Sequence, residues 1–224
     1  MKKVILIFLV IFAVAVGVAY KINSDQAAKD AHVLKVYNPI DIIEPGLVDS
    51  TLLRKGQGHT VGDFAFINQY GKTITQNDIE GKIYVVDYFF TTCGSICPKM
   101  TAQMTRVQGA FLNEPDVMIL SHTVWPEVDT VAQLLSYAKE KGVREGKWHL
   151  LTGDKDHLYG LARKSYFVLK PAEAEDVGDG NSDFIHTNNF VLVDKKRRIR
   201  GYYDGTSSDE VDHLIQDIKI LLEE

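Results

Sequence analysis

Cys93 and Cys97 are the only thiols in this 224-residue chain, and three residues separate them. They follow an apolar run at 83–90, which predicts a buried strand, and a helix is predicted from Lys99 onward. A helix N-terminus favours thiolates, which attack disulfides and bind soft metals. The pair therefore predicts a metal site or a redox-active dithiol. The simplest alternative is a structural disulfide that closes a short loop.

A third ligand would strengthen the metal interpretation, and the chain has seven histidines. His122 follows the predicted second strand, near the carboxyl edge where α/β proteins form sites. His186 lies just before the predicted closing hairpin. The residues alone do not decide whether His122 or His186 is a metal ligand, because an isolated loop histidine is more often solvated than metal-bound. The other five are expected in the N-terminal extension, in structural positions or at the surface: His32, His59, His149, His157 and His213.

Composition and the N-terminus indicate an exported globular protein. A net charge of −5 argues against a nucleic-acid surface. Lys2 and Lys3 precede an uncharged stretch at 4–19, which is typical of an export segment. We predict an uncleaved anchor in the inner (cytoplasmic) membrane with the domain on the periplasmic side, and a cleaved signal is the alternative. Thiols outside the cytoplasm oxidise readily, so an exported pair needs a disulfide, redox or metal role.

Hydrophobic periodicity predicts the order hairpin, β-α-β-α-β-α, hairpin, helix. Right-handed crossovers make the central strands parallel, and the closing hairpin extends the sheet antiparallel. The predicted fold class is α/β, with a thioredoxin-like (peroxiredoxin-like) mixed sheet flanked by helices, β-hairpin additions and an N-terminal membrane anchor. The strands are predicted at 64–68, 72–75, 83–90, 117–121, 149–151, 189–193 and 198–203. Anchor, tether with extension, and domain are predicted at 1–20, 21–57 and 58–224.

Several ordered motifs of this chain resemble the Sco/SenC family, and the resemblance runs from about Gly58 to Leu222. Residues 92–100, Thr-Cys-Gly-Ser-Ile-Cys-Pro-Lys-Met, look like the family signature. Residues 121–130 resemble its Ser-x-Asp-Pro-Glu-x-Asp-Thr segment. The strand after that segment and the closing hairpin are similar at 147–153, 186–194 and 198–205.

The resemblance implies a membrane-anchored thioredoxin-like fold that binds copper, Cu(I) or Cu(II), through Cys93, Cys97 and His186. Members of the family help to assemble the Cu-A centre of cytochrome c oxidase as copper donor, thiol reductant or both. The expected partners are therefore the oxidase copper-site subunit and a thiol reductant or upstream copper donor. The ligand chemistry agrees, because thiolates suit copper(I) and imidazole suits either oxidation state. Zinc could use the same atoms with a water.

We therefore expect a membrane-tethered copper chaperone. The alternative is a thiol-disulfide reductase, in which Cys93 and Cys97 are the catalytic pair and act on the oxidase copper-site cysteines or other exported thiols. In that case His186 is not needed as a ligand. A peroxiredoxin-like peroxidase fits the closely spaced pair poorly.

Four other residues near the pair carry weaker expectations. Trp125 stands where the family pattern often has aspartate, so no carboxylate role carries over there. Glu127 and Asp129 match the pattern, and capping of the next helix is their simplest role. Asp87, in an otherwise apolar strand, either tunes the thiols, contacts a partner or is a satisfied buried acid.

Overall fold

The computed structural model describes residues 12, 15–21, 33–42, 48, 50–53, 56–168 and 187–224. The chain divides into two units, Met1–Leu34 and Lys35–Glu224. In the first unit, residues 15–21 are helical. No helix within the described residues is both long and apolar enough to cross a membrane. Most of the stretch predicted as an anchor lies outside the described residues, so the anchor remains a prediction.

The described residues of the second unit form a seven-stranded sheet. Its strands are β1 (Ala65–Asn68), β2 (Thr73–Thr75), β3 (Ile83–Phe89), β4 (Val117–Thr123), β5 (Trp148–Thr152), β6 (Asn189–Val193) and β7 (Ile199–Asp204). The strand order is β2-β1-β5-β4-β3-β6-β7. β3, β4 and β5 are parallel, whereas β1 and β6 pair antiparallel with β5 and β3. The mixed α/β sheet and its parallel centre are therefore confirmed.

Within the described part of the chain, four helices connect or cover these strands: α1 (Cys97–Ala110), α2 (Val131–Lys141), α3 (Lys155–Leu161) and α4 (Ser208–Glu223). Shorter pieces are 3₁₀ turns at Pro39–Asp41 and Gln76–Ile79 and one α-helical turn at Ser50–Leu53. α1 begins at Cys97, two residues before Lys99, and Pro98 lies in its first turn. α3 ends at Leu161, and a π-helical turn, Ala162–Tyr166, follows it.

Local capping signals in the sequence define two of the helix starts and one helix end. Thr130 accepts a hydrogen bond from the backbone N–H of Gln133 at 3.3 Å, at the start of α2. Ser207 accepts one from the N–H of Glu210 at 3.4 Å, at the start of α4. Gly142 ends α2 with φ of 70°, a left-handed conformation that costs glycine little. These caps satisfy helix-end groups that have no intrahelical partner.

Alternation of side chains along β3 and β4 creates two different faces. Tyr88 and His122 are paired in register, and so are Asp87 and Ser121. Successive strand residues point to opposite faces, so the two pairs lie on opposite sides of the sheet. The Tyr88 side chain belongs to a hydrophobic core cluster that also includes Leu158. The Asp87 face is the cysteine side, because the Asp87 carboxylate interacts electrostatically with Cys97.

His122 belongs to the core. The expectation that it follows a strand is wrong, because β4 extends through Thr123. Its ring is fully buried and lies 5.1 Å from the Tyr88 ring and 5.4 Å from the Phe66 ring, centroid to centroid. Neither ring nitrogen has a hydrogen-bond partner within the described residues. Burial, and then the nearby charge of His157, lowers the pKa of His122 to about 3.

This buried histidine makes stability depend on pH. Below pH 6.5 the unfolded chain protonates His122, whereas the folded protein keeps it neutral until about pH 3. The free energy of unfolding should therefore decrease as the pH falls from 6.5 towards 3. His122→Phe should remove up to about 1.4 kcal/mol of that decrease per pH unit. Urea unfolding at pH 7, 6 and 5 measures the difference. The control His213→Phe, at a surface position on α4, should keep the wild-type pH dependence. If the free energy of unfolding changes with pH equally in wild type and in His122→Phe, then His122 does not cause the pH dependence.

Candidate metal centre

The loop from Phe90 to Ile96 carries the chain from the end of β3 to the first residue of α1, which is Cys97. The helix starts tightly, because the N–H groups of Lys99 and Met100 both donate to the carbonyl of Ile96 at 3.0 Å. Pro98 lies in the first turn, where its missing N–H removes no helical hydrogen bond. The local sequence thus places one thiol on the helix N-terminus and the other in the loop before it.

Both thiols are free and buried, with Cys93 9% exposed and Cys97 4% exposed. Cys93 Sγ lies 3.5 Å from Ser95 Oγ. The Cys97 side chain also acts on the acidity of Cys93, and the Cys93 side chain acts on that of Cys97. The sulfur atoms are therefore neighbours, as either a disulfide or a shared metal ion requires.

The two thiols have opposite electrostatic properties. Burial by itself raises the pKa of Cys93, but hydrogen bonds from Cys97 and Ser95 outweigh burial and lower it to about 7. Burial and the hydrogen bond with Cys93 raise the pKa of Cys97 to about 12, and the negative charge of Asp87 adds to that rise. Cys93 is therefore the more acidic thiol of the pair, a distinction that the sequence alone does not make.

Asp87 lies behind the pair as a buried carboxylate. Its Oδ1 accepts a hydrogen bond from the Ser121 hydroxyl, and Ser121 Oγ in turn accepts from Trp148 Nε1 at 2.8 Å. Burial raises the pKa of Asp87 to about 7, although the bond from Ser121 opposes the rise. Asp87 is thus a hydrogen-bonded buried acid that also acts electrostatically on Cys97.

The acidic residues of the segment before α2 do not cap that helix, so the capping expectation is wrong. The capping side chain is Thr130. Glu127 instead lies 3.6 Å from Lys155 in a surface ion pair. Asp129 faces the cysteine loop and accepts hydrogen bonds from Thr91. The Trp125 ring lies 6.2 Å from the ring of Phe90, the first residue of that loop.

The third predicted ligand, His186, lies outside the described residues. The description resumes at Thr187, which is buried and whose Oγ1 accepts a hydrogen bond from Asn189 N–H at 3.2 Å. β6 begins at Asn189 and runs antiparallel to β3, so it starts at the sheet edge where β3 ends. Within the described residues, no group of three or more His, Cys, Asp or Glu side chains is arranged to hold a metal.

A thioredoxin-like α/β sheet with two thiols at the start of α1 is suited to a metal site or to a redox-active dithiol. Comparison with known proteins identifies the family. Residues 54–223 match the SCO1/SenC family. The chain therefore belongs to the SCO1/SenC family. It is 34% identical over 164 residues to a SCO1 protein homolog from Bacillus subtilis, covering 72% of this chain and 82% of the relative.

Solved structures show the same fold. BsSco, described as a Sco-family cytochrome c oxidase assembly protein with a disulfide switch, is 33% identical with a TM-score of 0.61, over 73% of this chain and 93% of that one. Arabidopsis thaliana ScoI, solved with copper bound, is 24% identical with a TM-score of 0.55, over 71% of this chain and 98% of that one. The recognition of the Sco/SenC family from sequence motifs is thus confirmed.

The unequal thiols predict selective alkylation. In the reduced, metal-free protein, iodoacetamide should modify Cys93 with half-maximal rate near pH 7, its lowered pKa. Cys97 should react about 100-fold more slowly at that pH, because it holds its proton and is more buried. Peptide mass spectrometry of quenched time points gives both rates. Ser95→Ala should shift the Cys93 profile to higher pH by removing one hydrogen bond. Faster labelling of Cys97 than of Cys93 would contradict this assignment.

Proposed function

We propose that this protein is a membrane-tethered copper-binding chaperone that helps to assemble the Cu-A centre of cytochrome c oxidase. Copper(I) is the cargo, and Cys93, Cys97 and His186 are its ligands. The main support is the free, adjacent thiol pair at the start of α1 in a member of the SCO1/SenC family. Copper in the Arabidopsis relative supports the choice of metal.

The chemistry of the donor set fits copper(I). Thiolates are its preferred ligands, and the N-terminus of α1 favours their negative charge. Cys93 can give up its proton near neutral pH, whereas Cys97 gives up its proton only on metal binding, so copper uptake releases a proton. The low exposure of both sulfurs limits access of water and oxidants to the bound ion.

The position of Thr187 supports His186 as the third ligand. Thr187 is the next residue in the sequence, and Asn188 just after it is held by a hydrogen bond from Gly205 N–H at 2.7 Å. This anchored stretch leads into β6 at the edge of the sheet where β3 delivers the cysteine loop. A neutral imidazole and two thiolates give a three-coordinate copper(I) site of low net charge.

The location and partner follow from the N-terminus and the cargo. Lys2 and Lys3 remain in the cytoplasm, the uncharged stretch at 4–19 anchors the chain, and the domain lies on the periplasmic side. There it meets the oxidase copper-site subunit, which receives copper by ligand exchange. A thiol reductant or an upstream copper donor keeps the pair reduced and loaded.

A thiol-disulfide reductase is the second candidate, and the unequal thiols favour it. The Cys93 thiolate attacks a disulfide of the partner, forms a mixed disulfide and releases one partner thiolate. Cys97 loses its proton and attacks Cys93 Sγ, which releases the second partner thiolate and leaves a Cys93–Cys97 disulfide. Two electrons pass from the pair to the partner. The disulfide switch of BsSco supports this chemistry.

Copper(I) competition against a chromophoric chelator tests the ligand set. The full chain, in detergent, reduced and without oxygen, should lose about 100-fold in affinity on Cys93→Ser or Cys97→Ser and about tenfold on His186→Ala, because each change removes one ligand. His213→Ala, at the exposed surface of α4, is the matched histidine control and should bind like wild type. Unchanged affinity in His186→Ala would contradict the three-ligand site.

The same variants separate the two candidate functions. A reductase needs both cysteines but not His186, so His186→Ala should reduce a partner disulfide at the wild-type rate. If wild type fails to compete for copper(I) but reduces a peptide disulfide with the sequence of an oxidase copper site, the reductase is the better description.

A further inference from the structure

Asp129 is a buried carboxylate that neither the copper chemistry nor the reductase chemistry uses. It lies between β4 and α2 and is 0% exposed. Its backbone N–H donates to the carbonyl of Trp125 at 2.8 Å, which closes a turn just before the helix. Burying a carboxylate is costly unless its oxygens receive enough hydrogen bonds. The groups that donate hydrogen bonds to the Asp129 carboxylate therefore indicate its structural role.

The donors come from the cysteine loop and from the end of β4. Thr91 Oγ1 donates to Asp129 Oδ1 at 2.5 Å, and Thr91 N–H lies 3.2 and 3.3 Å from the two carboxylate oxygens. The hydroxyl of Thr123 donates to Oδ2. Gln133 in α2 donates through Nε2 to Thr91 Oγ1 at 3.2 Å. The Asp129 carboxylate thus connects the cysteine loop to the end of β4, and Thr91 is in turn connected to the start of α2 through Gln133.

These bonds hold the loop close to its reactive sulfur. Thr91 is two residues before Cys93, and Cys93 N–H donates to the carbonyl of Phe90 at 3.3 Å, so Thr91 lies inside the turn that presents the thiol. Residues 90–96, the loop between β3 and α1, belong to neither a strand nor a helix. Contacts to a neighbouring rigid element are what can fix it.

We propose that Asp129 is a positioning residue that holds Cys93 at the separation from Cys97 that both disulfide formation and copper(I) binding require. The role is geometric, because the altered acidity of Cys93 has other causes, namely burial and the hydrogen bonds from Cys97 and Ser95. A disulfide tolerates only a narrow range of Cα and Cβ separations. A loop free to move around Thr91 spends less time in that range. The statement that Asp129 supports copper(I) binding rests on the proposed function, whereas the statement that it supports disulfide formation does not.

The reduction potential of the Cys93–Cys97 pair tests this role directly. Asp129→Asn leaves an amide group facing donors of Thr91 and should make disulfide formation about tenfold less favourable, a rise of about 30 mV. Thr91→Val, which keeps the carboxylate but removes the hydroxyl, should shift the potential in the same direction by a smaller amount. Thr91→Ser keeps the hydroxyl and should restore the wild-type potential. The potentials are read in dithiothreitol redox buffers by thiol trapping of the full chain.

Ser165→Ala controls for general destabilisation. Ser165 is buried, and its hydroxyl accepts a hydrogen bond from Gly62 N–H at 3.2 Å, away from the cysteine loop. It should lower the urea midpoint while leaving the potential unchanged. Wild-type potentials in both Asp129→Asn and Thr91→Val would overturn the proposal, and so would an equal shift in Ser165→Ala. If Asp129→Asn does not fold, the comparison of Thr91→Val with Thr91→Ser decides.

Copper(I) affinities of the same variants keep the two proposals distinguishable. If Asp129 positions Cys93, Asp129→Asn and Thr91→Val should bind copper(I) more weakly than Thr91→Ser and wild type. If wild type does not bind copper(I) but the potentials shift as expected, the copper function fails and the positioning role stands. If copper(I) binds to wild type and all variants alike and no potential shifts, the positioning role fails alone.

Discussion

The double pairing of β3 is the constraint on which the site depends. β3 is buried along its whole length and is hydrogen bonded to parallel β4 on one side and antiparallel β6 on the other. The end of β3 therefore sets where the cysteine loop starts, and the start of β6 lies at that same edge of the sheet. One buried strand thus brings together two segments that are far apart in the sequence, since Cys97 and Thr187 are separated by 90 positions.

Features with local signals could be predicted from the sequence. Thr130 with Gln133, and Ser207 with Glu210, indicate helix starts because the capping bond spans only three residues. Gly142 indicates a helix end because glycine adopts a left-handed conformation at little cost. The position of the cysteine pair between an apolar strand and a helix indicates a site. The likeness of several ordered motifs to one family predicts a third ligand, His186, which spacing alone leaves open.

Features that depend on distant contacts could not be predicted. The pairing of β1 with β5 joins residues 85 positions apart, Ile67 and Thr152, and no local pattern encodes it. Asp129 looks like a capping acid in sequence, because the Thr91 donors that occupy it lie 38 residues earlier. The polar pair Ser121 and His122 follows an apolar run, so the sequence predicts that His122 lies beyond the strand, yet both residues are buried and β4 continues through Thr123. The difference in pKa between Cys93 and Cys97 depends on burial and on hydrogen bonds, which the tertiary structure determines.

X-ray absorption at the copper K edge of the copper(I)-loaded full chain can show whether Cys93, Cys97 and His186 bind one copper ion. We expect three-coordinate copper with two sulfur atoms and one nitrogen atom, and we expect His186→Ala to lose the nitrogen contribution while both sulfurs remain. A wild-type shell with sulfur alone, or with a single sulfur, would contradict the claim that this fold brings the two thiols and the imidazole to one ion.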